Sequence, residues 1–437
     1  MSRERSSSFA PIAHTWRALR HRNFKLFFFG QSVSLIGTWM TRLATAWLVY
    51  QLTHSALLLG VVSFSGQIVS FLLGPFAAVW VERLERRRLL VITQASAALQ
   101  SLSLAVLTLT HLITLPEIIG LMMFQGLVNA FDMPGRQAFL VQMVDERADL
   151  ANAIAINSSM VNIARLLGPA LAGLLIAATS EGWCFLVDGV SYIAVIASLV
   201  AMRLPFEEPR PAEASMVTQL SEGWTYVSGS RPIRTILSLF ALLSLMGWPF
   251  MVLMPVFAAQ VLHGGPHTLG FLMGAVGVGS LSSALAMVAR RSVRGLTKMI
   301  PLAALAFGIG LIAFGLSRSF WLSMLMMLLT GFGMMQGLTA SNTIIQTLVD
   351  ENMRGRVMSY YTMAFVGMAP FGSLLAGMLA QAIGAPHTVL VSGVACILGA
   401  TWFWSQLPAV RREMRPIYER LGIIPQPNLA LEENAEG

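Results

Sequence analysis

Long apolar runs, broken at short intervals by basic clusters, set the pattern of this chain. The clearest break is GPFAAVWVERLERRRLL, residues 74–90. An uncharged run from Leu57 to Val81 stops at Glu82, Arg83, Glu85, Arg86, Arg87 and Arg88, and the next apolar run meets no charge until Glu117. Two membrane-length helices joined by a short basic loop account for this pattern. The same alternation predicts twelve spans, roughly at 24–50, 57–81, 89–110, 117–140, 153–179, 183–203, 235–261, 268–289, 299–317, 320–345, 356–383 and 387–408. Loops at 83–88, 136–147, 203–234, 290–298 and 354–356 carry the Arg and Lys, whereas the intervening loops have almost none. The excess of positive charge on one side puts both termini in the cytoplasm of a multi-pass protein of the cell (inner) membrane.

Composition sharpens the class. Charged residues are 11% and hydrophobic residues 55%, against about 25% charged in ordinary globular chains. Backbone polar groups in hydrocarbon must be satisfied internally, so only helical bundles or closed barrels qualify. Apolar runs of this length exclude barrel strands, which alternate and are about half as long. The fold class is therefore an all-α polytopic membrane protein. The net charge of +8 is a topology signal, and no soluble segment is long enough for a nucleic-acid module. Cys184 and Cys396 are too few for a disulfide framework or a cysteine zinc site. No short apolar core with a cleavage site opens the chain, so no cleavable signal peptide is expected.

The chain divides into a tail at 1–23, six spans at 24–203, a linker at 204–234, six spans at 235–408 and a tail at 409–437. Within the linker, Met216, Leu220 and Trp224 fall at i, i+4, i+8, one apolar stripe of a helix that either lies on the inner leaflet or packs on the bundle. The two six-span halves repeat. Val144-Asp145-Glu146 is answered by Val349-Asp350-Glu351, Gly168 by Gly372, Ala172-Gly173 by Ala376-Gly377, and Gly74 by Gly279. Two parallel six-helix halves are the architecture of transporters that rock about a midplane site.

These residues resemble the major facilitator superfamily. Its second inner loop reads G-x-x-x-D-R-x-G-R-R, and Ala78, Glu82, Arg83, Glu85, Arg86 and Arg87 stand at those places. GPALAG, with Gly168, Pro169 and Gly173, resembles the helix-flexing motif of exporting members, although Ala164 and Ala172 replace its other glycines. WMTRLATAWLVYQLTHSALLLG, NAFDMPGRQAFL and RGRVMS are similar to the branch of enterobactin exporters and transmembrane secretion effectors. The resemblance implies a secondary active exporter of a siderophore, drug or other small metabolite, working by alternating access as a monomer without cofactors. Import by the same fold stays open, as does a non-transporting membrane scaffold or receptor. The usual proton-coupling parts are incomplete: Met122 stands where such exporters carry Arg, and span one has no acidic residue. Proton antiport is one option.

A charge near the bilayer centre costs at least about 2.5–3.5 kcal/mol, so each one calls for a reason. Arg42 shares a helical face with Gln31, Thr38 and Thr45, which lines a cavity or else supports an Arg that snorkels or pairs with Asp188. Arg165, with Ser158, Asn162 and Pro169 on its face, is too deep to snorkel and needs either an aqueous pathway or a carboxylate. Asp132 precedes Arg136 by one turn, an i,i+4 pair, with proton carrier as the alternative. Glu82, Arg83, Arg86 and Arg87 are expected to latch a cytoplasmic gate, or only to fix topology. Unpaired Arg42 and Arg165 favour an anionic or amphiphilic cargo. No G-x-x-x-x-G-K-[ST] or H-E-x-x-H occurs, and the histidines sit in the tail or at span ends. Neither an enzyme nor a metal site is expected.

Overall fold

Apolar sequence of this length satisfies its backbone only as helix, and helix is what forms. The computed structural model describes residues 17–144, 146–203, 216–290 and 292–424. The side chains at 78, 79, 82, 147, 216, 217, 219 and 220 lie outside the described set. Glu82, the first expected gate residue, and Met216 and Leu220 of the linker stripe are therefore outside it, as are Asp145 and residues 204–215.

Among the described residues there are thirteen helices and no strands. They are α1 (Arg22–Thr53), α2 (Ala56–Arg83), α3 (Arg86–Leu109), α4 (Leu115–Leu140), α5 (Arg147–Ala178) and α6 (Glu181–Ala201), then α7 (Met216–Gly229). The second set is α8 (Arg231–Val261), α9 (Pro266–Val288), α10 (Leu296–Leu316), α11 (Phe320–Leu348), α12 (Arg354–Ile383) and α13 (Ala385–Arg420). By length and composition, ten of these can cross a membrane. α1 and α4 are as long but fall outside that ten. They carry Gln31, Thr38 and Arg42, and Gln125, Asn129 and Asp132, respectively.

Large apolar side chains are left exposed on the helices, the inverse of a water-soluble surface. Leu99, Ile193, Leu285, Trp321 and Leu398 are exposed, while Asp132 and Asp188 are buried. A hydrocarbon solvent explains this inversion.

The helix ends follow local chemistry. At the start of α4, the Thr114 amide donates to Glu117 Oε2 at 2.6 Å, half of a capping box. His54 (φ 48°), His111 (φ 57°) and His263 (φ 53°) hold left-handed positions in three short connections, a conformation in which His is enriched among non-glycine residues. α13 does not stop near 408. It runs through Pro408 to Arg420 because Val410, Met414 and Tyr418 continue a buried stripe.

Two units are resolved. Unit 1 comprises Met1–Leu52, Ser65–Ala212 and Gly265–Gly270; unit 2 comprises Thr53–Phe64, Glu213–Gly264 and Phe271–Gly437. The first turns of α2 fall in unit 2, and the start of α9 falls in unit 1. In unit 1, a Cβ on Gly173 would come within 2.6 Å of Pro266 O and 3.0 Å of Gly270 Cα. The internal repeat is visible in packing. Gly126 of α4 lies against the backbone carbonyl of Gly66 in unit 1, and Gly331 of α11 against that of Val276 in unit 2. The pairing of Gly74 with Gly279 does not extend to their surroundings, because Gly74 faces open space and Gly279 is pressed against Leu328.

Unit 2 has two features of its own. α7 is tied down by an ion pair between Glu222 and Arg356, by Trp224 against Tyr360 at 6.0 Å and by Tyr226 OH donating to Asp350 Oδ2 at 3.3 Å. Besides a π turn at Phe257–Val261 in α8, α8 and α12 carry a joined pair of π turns, Leu243–Gly247 and Met363–Gly367. The Ser244 hydroxyl donates to the carbonyl of Phe365 across them.

Candidate functional site

The polar residues of unit 1 converge on α1, and two glycines let them do so. Gly37 brings α6 close, since a Cβ there would sit 2.8 Å from Asp188 Oδ1 and 2.9 Å from its Cα. Gly168 does the same for α5, facing Trp39 and the Ile36 carbonyl, the latter at 2.9 Å. Any side chain at these positions would hold the helices apart.

The α6 contact buries Asp188, which is 2% exposed. Thr41 Oγ1 donates to Asp188 Oδ2 at 2.8 Å, and Ser101 Oγ donates to the same oxygen at 3.0 Å. Thr38 Oγ1 lies 3.5 Å from Oδ1 and 3.3 Å from Tyr192 OH. Among the described residues, Asp188 has no ion pair, and Arg42 does not form one with it. Thr38 is half-buried and faces the α6 cluster. Gln31 is buried within unit 1 at 2% exposure.

The α5 contact brings two cations to one indole. The guanidinium carbon of Arg42 lies 4.7 Å from the Trp39 ring centroid, and that of Arg165 lies 5.3 Å from it. Such cation–π contacts are worth about 0.5–2 kcal/mol each. Among the described residues neither Arg has an ion pair or hydrogen bond, and Arg165 Nε is buried without a partner. The two charges lie within about 10 Å of each other, where their repulsion is about 2 kcal/mol at an effective dielectric of 20. Arg42 keeps an open surface, and Arg165 is half-buried. Asn162, one turn before, donates to Ser158 O at 2.9 Å.

The second carboxylate is built differently. Asp132, 5% exposed, pairs with Arg136 one turn on in α4. It also accepts from Thr93 Oγ1 at 3.0 Å and from Gln94 Nε2 at 2.6 Å. This is a satisfied ion pair, with its charge matched inside the protein.

In the basic loop, Arg87 Nη2 donates to Val200 O at 2.6 Å, and Arg22 Nη2 donates to Ala201 O at 3.1 Å. Asn23 exchanges two further bonds with the Arg203 backbone at 2.9 and 3.1 Å. The last carbonyls of α6, orphaned by helix geometry, thus receive cationic donors at the negative end of the dipole. Arg83 is exposed and Arg86 half-buried.

Sequence reasoning missed Trp39, Thr41, Ser101 and Tyr192. Trp39 stands three residues before Arg42, a spacing that places both on one helix face. Its contact with Arg165 has no local signature. Among the described residues no group of three His, Cys, Asp or Glu could hold a metal ion.

Comparison with known proteins completes the description. A family model described as transmembrane secretion effector matches residues 13–436. The chain is 28% identical over 375 residues to the staphyloferrin A transporter of Staphylococcus aureus, across 85% of this chain and 93% of that protein. It is 26% identical over 376 residues to the multidrug efflux pump Tap of Mycolicibacterium fortuitum, across 83% and 90%. Its fold matches the inward-facing, unoccupied crystal structure of a bacterial homologue of the human lysosomal transporter Spinster. The TM-score is 0.69, with 13% identity over 90% of this chain and 97% of that one.

Proposed function

Because the chain belongs to the transmembrane secretion effector family of the major facilitator superfamily, and so is a multi-pass membrane transporter of small molecules and not an enzyme, we propose that it is a secondary active exporter. Its cargo is an anionic or amphiphilic metabolite of the siderophore or drug kind, moved by alternating access. α1 and α4 join the other ten spans to make twelve, both termini are cytoplasmic, and the monomer is the working unit.

One observation carries the cargo assignment: among the described residues, Arg42 and Arg165 make no ion pair beside Trp39. A guanidinium facing lipid is costly, so the open side of Arg42 faces an aqueous path, and an acidic cargo offsets the charge. The names of the relatives, a siderophore transporter and a multidrug efflux pump, agree with this range. Asp188 is the proton-carrying group, since Asp132 already has Arg136. Arg87 belongs to the cytoplasmic latch, through its hold on the end of α6.

The test uses everted membrane vesicles supplied with acidic siderophores and neutral drugs. Uptake of the acidic compounds is expected on imposing a proton gradient. Arg165→Gln should lower it by about tenfold, the scale of one charge-assisted contact. Asp188→Asn should abolish gradient-driven uptake and keep cargo exchange. Uptake by right-side-out vesicles alone would mean import. Wild-type behaviour of the Arg165→Gln, Asp188→Asn double variant would make both groups structural.

A further inference from the structure

We propose that Arg42 and Arg165 form a two-point clamp for a polyanionic cargo, one with at least two acidic groups on a short skeleton. This rests on the exporter reading above and narrows its substrate class.

The argument starts from placement. Two helices, α1 and α5, deliver one guanidinium each to a single indole, at 4.7 and 5.3 Å. Trp39 is buried, so its ring is a fixed support. The contact at Gly168 fixes α5 against it, because Gly168 meets the Trp39 side chain and Arg165 lies three residues earlier. Neither arginine is free to swing to a distant partner without leaving the ring.

The charge arrangement is unbalanced. Asp132 holds Arg136, and Asp188, which accepts from Thr41 and Ser101, attracts Arg42 without forming an ion pair with it. Arg165 Nε, buried and unpartnered, marks a donor that the protein itself does not satisfy. A monoanion on the open side of Arg42 leaves Arg165, half-buried with its Nε unpartnered, without an ion pair. A dianion meets both, and each guanidinium fork can bind a carboxylate or phosphate in two-pronged fashion. The separation of the two guanidiniums, at most about 10 Å, suits two acidic groups a few bonds apart, allowing ~3 Å for each contact. The site therefore selects by charge number.

Purified full-length protein in detergent is titrated with a ladder of probes: butyrate, succinate and citrate, then phosphate and pyrophosphate, with thermal stabilisation and tryptophan fluorescence as readouts. Wild type should bind succinate and citrate at least about tenfold tighter than butyrate. Arg42→Gln and Arg165→Gln should each bring succinate to within about twofold of butyrate, and the Lys variants should keep part of the preference. Trp39→Phe should retain the preference and Trp39→Ala should lose it, which separates support of the arginines from general folding. Pyrophosphate favoured over citrate would assign the acidic groups as phosphates; the reverse order would assign carboxylates. Equal affinity along the ladder, no binding by any probe, or a preference that survives both Gln variants would overturn the clamp. The charge ladder without transport in proteoliposomes would sink the exporter reading alone. Transport with no charge preference would sink the clamp alone.

Discussion

At the residue scale, the carboxylates of Asp132 and Asp188 divide by their partners. Asp132 neutralises Arg136 and takes two further donors, so Asp132→Asn leaves a half-buried cation without its counter-charge and should cost about 3 kcal/mol. The double variant Asp132→Asn, Arg136→Met should regain most of it, as read from thermal unfolding in detergent. The paired glycines divide in the same way. Gly168→Ala puts a methyl against Trp39 and the Ile36 carbonyl, where overpacking costs about 1–3 kcal/mol and displaces Arg165. Gly74→Ala meets nothing within 4 Å and should stay within about 0.5 kcal/mol of wild type. Unfolding of the two alanine variants side by side measures the difference. In sequence, both are glycines inside an apolar run.

At the scale of elements, the joined π turns of α8 and α12 depart from regular helix. Each widened turn disturbs the i to i−4 ladder, and the Ser244 hydroxyl supplies the Phe365 carbonyl with a donor. Phe365 also packs at the edge of Trp248, with ring centroids 5.0 Å apart. Ser244→Ala should therefore destabilise unit 2 by about 1–3 kcal/mol, the cost of a buried unsatisfied carbonyl. Hydrogen exchange should rise first at 243–247 and 363–367. Exchange unchanged at both turns would show that this bond does not hold them. Neither π turn is legible in the apolar pattern, because one inserted residue per turn shifts the hydrophobic face too little to break the run.

For the whole molecule, membrane sidedness is the property that charge pattern alone argues. Cysteines placed at Thr53 and His387 should react with an impermeant thiol reagent from outside intact cells, and one at Ser292 should not. The background is silent, because Cys184 and Cys396 are both buried. Labelling at Ser292 with the other two unreactive would invert the topology.

What the chain by itself determined is whatever one-dimensional pattern can carry: helical class, the positions of the long helices, the repeat in two halves, and which charges stand inside those helices. Those follow from the solvent, since hydrocarbon admits only apolar, internally bonded helices and makes every buried charge conspicuous. Asp132 with Arg136 was readable for the same reason, as one turn of helix fixes the pair. Tertiary structure alone decided the rest. It turned Thr38 onto Asp188, left Arg42 without an ion pair among the described residues, and set Arg165 beside an indole more than 120 residues away in sequence. The physical reason is that these contacts depend on how closely helices approach at Gly37 and Gly168, and close approach has no local period to read.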